Sequence, residues 1–266
     1  MLAKQRQAMI LKEVRRYGGV RISDLVGQLG VSDMTVRRDL DVLARNGLLE
    51  KVHGGATTVA EPSTDEPGFE AKSLRELPEK ESLVMEAVRL VRPGYAVGLS
   101  AGTTTWLLAH QLRETGELTV VTNSIHVSDV FHETQNPGQT VLLTGGIRTP
   151  SDALVGPMAV SALRNLHLDV VFVGAHGMDP RAGLTTPNLM EAESNRALID
   201  AGHRLIAVAD HTKWGVVGIS TFAALDEVDV LVTDTGLGDQ ARQVAREHVG
   251  ELLVTTVQSR HEERNG

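Results

Sequence analysis

Residues that could bind an anion follow one of the predicted strands in the acidic part of the chain. Gly102, Thr103, Thr104 and Thr105 lie directly after the apolar stretch Tyr95–Leu99, at the predicted start of a helix. Backbone N–H and hydroxyl groups at a helix N-terminus can bind an anion, because the helix dipole favours negative charge there. An ordinary strand-to-helix turn with a threonine cap explains the same four residues, so this motif alone does not establish a ligand site.

Further polar or glycine-containing loops follow other predicted strands, and they hold Asn123, Gly145, His176 and Lys213. In an open parallel sheet, ligands bind at the carboxyl ends of the strands, where these loops meet. Lys213 would bring a positive charge to a phosphate, whereas Asn123 and Glu191 would suit the hydroxyl groups of a sugar. The set indicates a site for a phosphorylated sugar or polyol. Each residue also has a structural alternative, since Asn123 can cap a helix, His176 can be a hydrogen-bonded loop residue and Lys213 can be solvated.

A predicted helix near the N-terminus has an apolar stripe and a basic opposite face. At about 100° per residue, Leu40 and Leu43 lie within roughly 40° of Val36 and form the stripe. Arg38 lies on the opposite side, where it could grip O6 and N7 of a guanine in a DNA major groove. The full set of predicted DNA contacts is Ser32, Met34, Thr35, Arg37, Arg38, Arg45, Lys51 and His53.

The predicted roles differ within this set. Thr35 would touch a phosphate or a thymine methyl group, and Ser32 and Arg37 are better placed for phosphates. Lys51 and His53 belong to a predicted wing, where two glycines allow close approach to the DNA backbone. The alternative is that this face is solvated surface charge, with Ser32 only a helix cap and His53 only a turn residue.

The charge of the chain is unevenly distributed. Residues 1–57 contain ten Lys or Arg and six Asp or Glu, a net charge of +4, whereas the remaining residues carry −12. Such an asymmetry indicates a nucleic-acid-binding part attached to a part with a different function.

Residues 1–57 have the element pattern of a winged helix-turn-helix. The predicted elements are a helix over residues 1–17, a second helix from a Ser23 cap to Gly30, a third helix from a Ser32 cap to Asn46, a strand over Leu48–Val52 and a tight turn at His53–Gly55. Residues 58–77 contain two prolines and are predicted to be a linker.

Residues 78–258 alternate apolar stretches with helical ones, which predicts an α/β domain with a parallel sheet covered on both faces. The predicted strands are Tyr95–Leu99, Leu118–Val121, Thr140–Leu143, Val170–Val173, Leu205–Ala209, Val228–Val232 and Leu252–Thr256. The predicted helices lie near Thr105–Arg113, Pro157–Asn165, Leu189–Ala201 and Gln240–His248. Residues 259–266 are a polar tail.

Several function classes are poorly supported by the composition. The 266 residues include no Cys, which excludes disulfide frameworks and thiol catalysis. There is no apolar run of 18 residues and no secretory signal, so a cytoplasmic protein with no membrane partner is expected. Aromatic residues are only 3%, too few to stack RNA bases. Neither a metal nor another cofactor is expected, because the histidines show no metal-ligand spacing: His126, His132, His167, His176, His203 and His211.

Residues 31–56, VSDMTVRRDLDVLARNGLLEKVHGGA, closely resemble the N-terminal signature of DeoR-family bacterial transcription regulators. The later motifs LSAGTTT, LTVVTNS, LLTGG, DVVFVGAHG and VADHTKWG look like the consecutive motifs of that family's sensor domain. The resemblance implies a sensor domain similar in fold to ribose-phosphate isomerases and CoA transferases, which binds a phosphorylated sugar. It implies effector contacts at Gly102, Thr103, Thr104, Thr105, Asn123 and Lys213. Ser100-Ala101 replaces the family's usual Asp-Ser, so one expected carboxylate is missing from the site.

The resemblance therefore implies a repressor of a carbohydrate-use operon that binds double-stranded operator DNA and is released by a sugar phosphate. A homo-oligomer, dimer or tetramer, is expected because symmetric half-sites need paired readers. The alternative function is a phosphosugar isomerase with a DNA-binding appendage. Isomerisation needs a general base, and the loop Gly174–Gly177 lacks the acids of the similar isomerases, which leaves only His176 and Glu191. No catalytic residue is predicted.

Overall fold

The computed structural model describes residues 2–17, 19–46, 48–52, 54–57, 64, 66, 68–134 and 136–257. The chain divides into two compact units, Met1–Pro62 and Ser63–Gly266. The predicted DNA contact His53 and the predicted tail over residues 259–266 lie outside the described residues. Within the described part, no helix combines the length and the apolar character that crossing a bilayer requires.

The first unit contains three helices and a small antiparallel sheet. The helices are α1 (Ala3–Tyr17), α2 (Ile22–Leu29) and α3 (Asp33–Arg45), and the strands are β1 (Gly19–Arg21), β2 (Glu50–Val52) and β3 (Gly55–Thr57). The strand order β1-β3-β2 places β3 in the centre. A Cβ atom at Gly55 would lie 2.1 Å from the carbonyl oxygen of Val20, so only glycine lets β3 pair this closely. This unit is a winged helix-turn-helix.

The start of α2 differs from the prediction. Ser23 does not cap this helix, because β1 runs directly into it and Arg21 occupies the N-cap position without a side-chain cap. The end is as predicted, since Gly30 adopts a left-handed conformation with φ of 63°. The predicted limits of α3 are confirmed, with Ser32 as N-cap and Asn46 as C-cap.

The second unit is built around a seven-stranded parallel sheet. Within its described residues the unit contains twelve strands, of which five belong to two smaller sheets, β7-β8 and β10-β11-β13. In chain order they are β4 (Ala96–Leu99), β5 (Leu118–Thr122), β6 (Gln139–Leu143), β7 (Ile147–Arg148), β8 (Leu154–Val155), β9 (Val170–Val173), β10 (Gly177–Asp179), β11 (Gly183–Thr186), β12 (Leu205–Val208), β13 (Ser220–Ala223), β14 (Val230–Asp234) and β15 (Glu251–Thr255). Its helices are α4 (Phe69–Ser73), α5 (Leu77–Ala87), α6 (Thr103–Leu112), α7 (Ile125–Thr134), α8 (Pro157–Leu163), α9 (Leu189–Asp200) and α10 (Asp239–His248).

The order of the large sheet is β6-β5-β4-β9-β12-β14-β15, and every neighbouring pair is parallel. All seven predicted strands are therefore confirmed, and they form one sheet. The chain runs outward from β4 through β5 to β6, then returns to the other side of β4 with β9. Between β4 and β9 the strand order reverses, which is where open parallel sheets bind ligands. Two separate apolar clusters include side chains of this sheet, consistent with burial on both faces.

The predicted linker over residues 58–77 is too long at its C-terminal end. Phe69 begins α4, and its buried ring stacks on His126 with a centroid distance of 3.7 Å. The same ring meets Trp106 edge to face at 5.6 Å. These aromatic contacts anchor α4 on α6 and α7, so this segment belongs to the second unit.

Candidate functional site

The exposed face of α3 is the candidate nucleic-acid interface. Val36, Leu40 and Leu43 are buried, as the apolar spacing predicts. Met34 and Arg38 lie on the exposed side, and 73% of Met34 is accessible. We call this side the recognition face, which comprises Met34, Arg37, Arg38, Asp41 and Arg45.

Ser32 and Thr35 form hydrogen bonds with each other at the start of α3. The Ser32 Oγ accepts a hydrogen bond from the Thr35 N–H at 3.3 Å, and the two side-chain oxygens lie 2.9 Å apart. This pairing satisfies one of the donors that a helix N-terminus leaves free. Both residues keep their predicted position beside the recognition face, but their polar groups already have partners.

Most cations near the recognition face are held by acceptors within the unit. Arg37 Nε donates to Asp33 Oδ1 at 2.5 Å, and Lys51 Nζ to Asp41 Oδ1 at 2.5 Å. Arg45 Nε donates to the carbonyl oxygen of Asp41 at 3.2 Å. Arg38 differs, since it has no hydrogen-bond or ion-pair partner among the residues described for this unit.

Asp39 positions α3 from its buried side. It forms an ion pair with Arg6 and accepts a hydrogen bond from Gln7 Nε2 at 2.9 Å, and only 3% of the residue is exposed. Sequence analysis assigned no role to Asp39. The charged run Arg37-Arg38-Asp39 masks the fact that one of its three residues faces inward, toward α1.

The second candidate site lies at the reversal point of the large sheet. The Ser100 N–H donates to the Phe172 carbonyl oxygen at 3.0 Å, and the Ser100 Oγ accepts from the Gly174 N–H at 3.2 Å. These bonds join the ends of β4 and β9. Ser100 is fully buried, and both its N–H and its hydroxyl are engaged in these bonds. Its hydroxyl therefore helps to hold the two strand ends together.

The loop after β4 presents unpaired donors at the start of α6. Gly102 has a φ of 153°, a conformation that L side chains rarely adopt. The Thr105 Oγ1 donates to the Gly102 carbonyl oxygen at 3.0 Å. The N–H groups of Thr103, Thr104 and Thr105 have no acceptor among the described residues. The turn predicted at this position is therefore present with free N–H groups, and α6 begins two residues earlier than expected.

Asn123 shapes this loop through both ends of its amide. Its Oδ1 accepts from the Ala101 N–H at 2.8 Å, and its Nδ2 donates to the Leu154 carbonyl oxygen at 3.2 Å. The residue is 2% exposed. Asn123 thus holds the loop, and its contact with a sugar hydroxyl stays a prediction.

Three lysines converge near the carboxyl edge of the sheet, and they are the only lysines in residues 63–266: Lys72, Lys80 and Lys213. Lys80 is 3% exposed, and its Nζ donates to the Lys72 carbonyl oxygen at 2.7 Å. Burial lowers the pKa of Lys80 to about 8, and the charges of Lys213 and Lys72 add to this effect. Burial also lowers the pKa of Lys72, with a further contribution from Lys213. We call these residues the lysine cluster.

Two carboxylates, Asp210 and Glu191, lie near the lysine cluster. Asp210 follows β12, accepts from the Thr212 N–H at 3.0 Å and favours the charged form of Lys80. Glu191, on α9, accepts from Thr186 Oγ1 at 3.0 Å. Burial raises the pKa of Glu191, and the charge of Lys72 opposes that rise. Glu191 therefore lies near enough to Lys72 for their charges to interact.

Asp234, at the end of β14, anchors the turn that carries Lys213. Its carboxylate accepts from the backbone N–H and from Nδ1 of His211, both at 2.8 Å. The hydrogen bond to Asp234 raises the pKa of His211. Both contacts fix His211, two residues before Lys213.

Two further predicted site residues, Gly145 and His176, follow other strands of the sheet. Gly145 follows β6, four strand positions from β12, so the ends of these strands are about 19 Å apart along the edge. His176 is half-buried after β9, and its N–H donates to the Thr185 carbonyl oxygen at 3.1 Å. Gly145 therefore follows a strand well removed from the one that precedes Lys213. Among the described residues, no group of three His, Asp or Glu could hold a metal ion.

Comparison with known proteins identifies both units. Residues 6–61 match the DeoR-like helix-turn-helix domain, and residues 75–235 match the DeoR C terminal sensor domain. The chain belongs to the DeoR family. It is a transcriptional regulator of this family, as its relatives are named.

DeoR-family relatives match along almost their whole length. A putative aga operon transcriptional repressor of Escherichia coli O157:H7 is 32% identical over 88% of this chain and 87% of its own. The regulator GlpR of Haloferax volcanii is 34% identical over 91% of this chain and 94% of its own. The lactose phosphotransferase system repressor of Staphylococcus aureus is 33% identical over 85% and 89%.

The solved structures with a similar fold include a D-ribose-5-phosphate isomerase in complex with phospho-erythronic acid. It shares 16% identity and a TM-score of 0.39, over 51% of this chain and 52% of its own.

Proposed function

We propose that this DeoR-family regulator represses a carbohydrate-use operon and leaves its operator when a phosphorylated sugar binds to the second unit. The lysine cluster is the observation that carries the proposal. Burial is the main cause of the lowered pKa values of Lys72 and Lys80, and repulsion among the three lysines adds to it. A bound dianion would relieve that repulsion.

The loop Gly102–Thr105 supplies the second half of the phosphate site. Its free N–H groups lie at the end of β4, two strand positions from β12 and Lys213. Neighbouring strands are about 4.8 Å apart, so a phosphate between them is within reach of a lysine side chain from one side and of N–H donors from the other. Glu191 beside Lys72 would accept hydrogen bonds from the sugar hydroxyls.

The DNA-binding part of the proposal rests on the recognition face of α3. A winged helix-turn-helix places such a face in the major groove, and paired half-sites call for a dimer or a tetramer of this chain. One relative is named a lactose phosphotransferase system repressor, in keeping with a carbohydrate-use operon. Release follows if the sugar phosphate binds the DNA-incompetent arrangement more tightly than the competent one.

A panel of sugar phosphates tests the proposed effector class. The full-length protein is heated with each ester, with the matching free sugar and with inorganic phosphate, and the unfolding temperature is recorded. We expect one or a few esters to raise it, the free sugars to have no effect, and the same esters to release operator DNA in a mobility-shift assay. Stabilisation by free sugars alone would contradict the phosphate site.

Arg38→Ala should weaken operator binding by about 1–3 kcal/mol, roughly 5- to 150-fold, because Arg38 offers two parallel donors to a guanine. Folding should change little, since the side chain is exposed. Arg38→Lys is the matched variant, because it keeps the charge and loses the fork. Operator affinity is measured by a mobility-shift titration at fixed salt. Wild-type affinity in both variants would show that Arg38 does not contact a base.

Effector affinity should fall as the pH rises through about 8. Lys80, whose burial lowers its pKa to about 8, is charged below that pH and neutral above it. The second pKa of a phosphate ester is about 6, so the ligand is mainly a dianion above that pH. Affinity is thus expected to be highest between roughly pH 6 and 8. Calorimetry from pH 7 to 9 should show a smaller decline in Lys80→Gln, and an unchanged slope would contradict this role of Lys80.

A further inference from the structure

Met34 is the one apolar member of the recognition face, and 73% of it is exposed. It lies in the first turn of α3, one turn before Arg38, on the same side of the helix. The buried core of this unit does not include it. A large apolar side chain at this position thus contributes little to folding and stands where a DNA-reading helix meets the bases.

The residues beside Met34 are less available for a contact with a base. Thr35, which the sequence suggested for a thymine methyl, is half-buried, and its hydroxyl contacts Ser32 Oγ at 2.9 Å. Arg37 is held by Asp33. Met34 and Arg38 therefore remain as the two side chains that can extend from the first turns of α3 without giving up a partner.

The spacing of these two residues fits the spacing of bases. Four residues of an α-helix advance about 6 Å, and successive bases on one strand are about 3.4 Å apart. A guanine read by Arg38 would therefore lie one or two base pairs from the base that Met34 contacts. In the major groove the apolar group available to Met34 is the C5-methyl of thymine.

We propose that Met34 is a specificity residue that packs on a thymine methyl group, one or two base pairs from the guanine read by Arg38. This inference rests on the proposed DNA-binding function and adds the identity of a second base. The flexible thioether side chain can follow the methyl group closely, as it does in apolar cores.

Base analogues test the contact one atom group at a time. The full-length protein is first used to select its operator from random duplex DNA. Each thymine of the half-site is then replaced by uracil, which removes only the methyl group. We expect one replacement to weaken wild-type binding about three- to fivefold, the effect of losing one buried methyl-sized group. In Met34→Ala the same replacement should have no effect.

The possible results distinguish failure of the methyl contact from failure of the proposed DNA-binding function. If no sequence is enriched, sequence-specific binding itself is wrong. If a sequence is enriched but every uracil is silent, or if Met34→Ala remains as sensitive as the wild type, the methyl contact is overturned. The uracil scan on the wild-type protein needs no variant to fold. Arg38→Ala serves as control, because it should lose preference for guanine while the uracil effect persists.

Discussion

Lys213→Ala should give a regulator that binds its operator normally but is not released by the sugar phosphate. Lys213 belongs to the second unit and lies in the lysine cluster, so its loss leaves the recognition face of α3 unchanged. Losing one hydrogen bond to a charged group costs about 1.5–3 kcal/mol, which is roughly a 10- to 150-fold loss of effector affinity. A ligand that binds this weakly cannot shift the equilibrium between the two arrangements.

Calorimetry with the effector and a mobility-shift titration measure the two expectations separately. Arg89→Ala is the control, because it also removes a positive charge from the second unit. Arg89 lies in the turn before β4, at the amino edge of the sheet and therefore opposite the lysine cluster. Lys213→Arg should recover part of the affinity. Wild-type affinity in Lys213→Ala would show that the ligand lies elsewhere, whatever the DNA assay shows.

The sequence could predict one of the three lysines, and the reason is structural. Lys213 follows an apolar strand, where parallel sheets carry their ligand residues. Lys72 precedes every strand of the sheet, in a segment whose prolines indicate a linker. Lys80 lies on α5, whose Leu83 and Val84 are buried together with Lys80 itself. Because Lys80 is buried on the same helix as these apolar residues, α5 lacks a clear contrast between a polar and an apolar face. The sequence pattern therefore gives no sign that Lys80 belongs to the site.

The apolar content of a strand decides whether the sequence could predict it. The seven strands of the large sheet are rich in apolar residues and the five inner ones are almost wholly buried, so all seven were predictable. β10 and β11 each contain a single large apolar residue, so neither a continuous apolar stretch nor a period-2 pattern marks them. The pairing of β11 with β13 depends on a glycine, because a Cβ atom at Gly183 would lie 2.2 Å from the carbonyl oxygen of Ala223. Such a requirement is set by a neighbouring strand and cannot be read from local sequence.

Leu40→Ala should unfold most of the DNA-binding unit while the second unit stays folded. Leu40 is fully buried within the core shared by α1, α2 and α3. Truncating a buried leucine costs about 2–5 kcal/mol. A unit of this size has a total stability of roughly 3–9 kcal/mol at typical values per residue. The substitution therefore removes a large share of the free energy of unfolding of the first unit, and operator binding should be lost with it.

The positions of the tryptophans make this expectation measurable in the intact chain. Both tryptophans, Trp106 and Trp214, lie in the second unit, so their fluorescence reports on that unit alone, whereas circular dichroism reports on the helices of both. In urea, Leu40→Ala should show an early transition by circular dichroism and an unchanged fluorescence midpoint. Leu40→Met conserves volume and should cost less than about 1.5 kcal/mol. If the fluorescence midpoint falls together with the circular dichroism signal, the two units unfold as one and the first core does not stand alone.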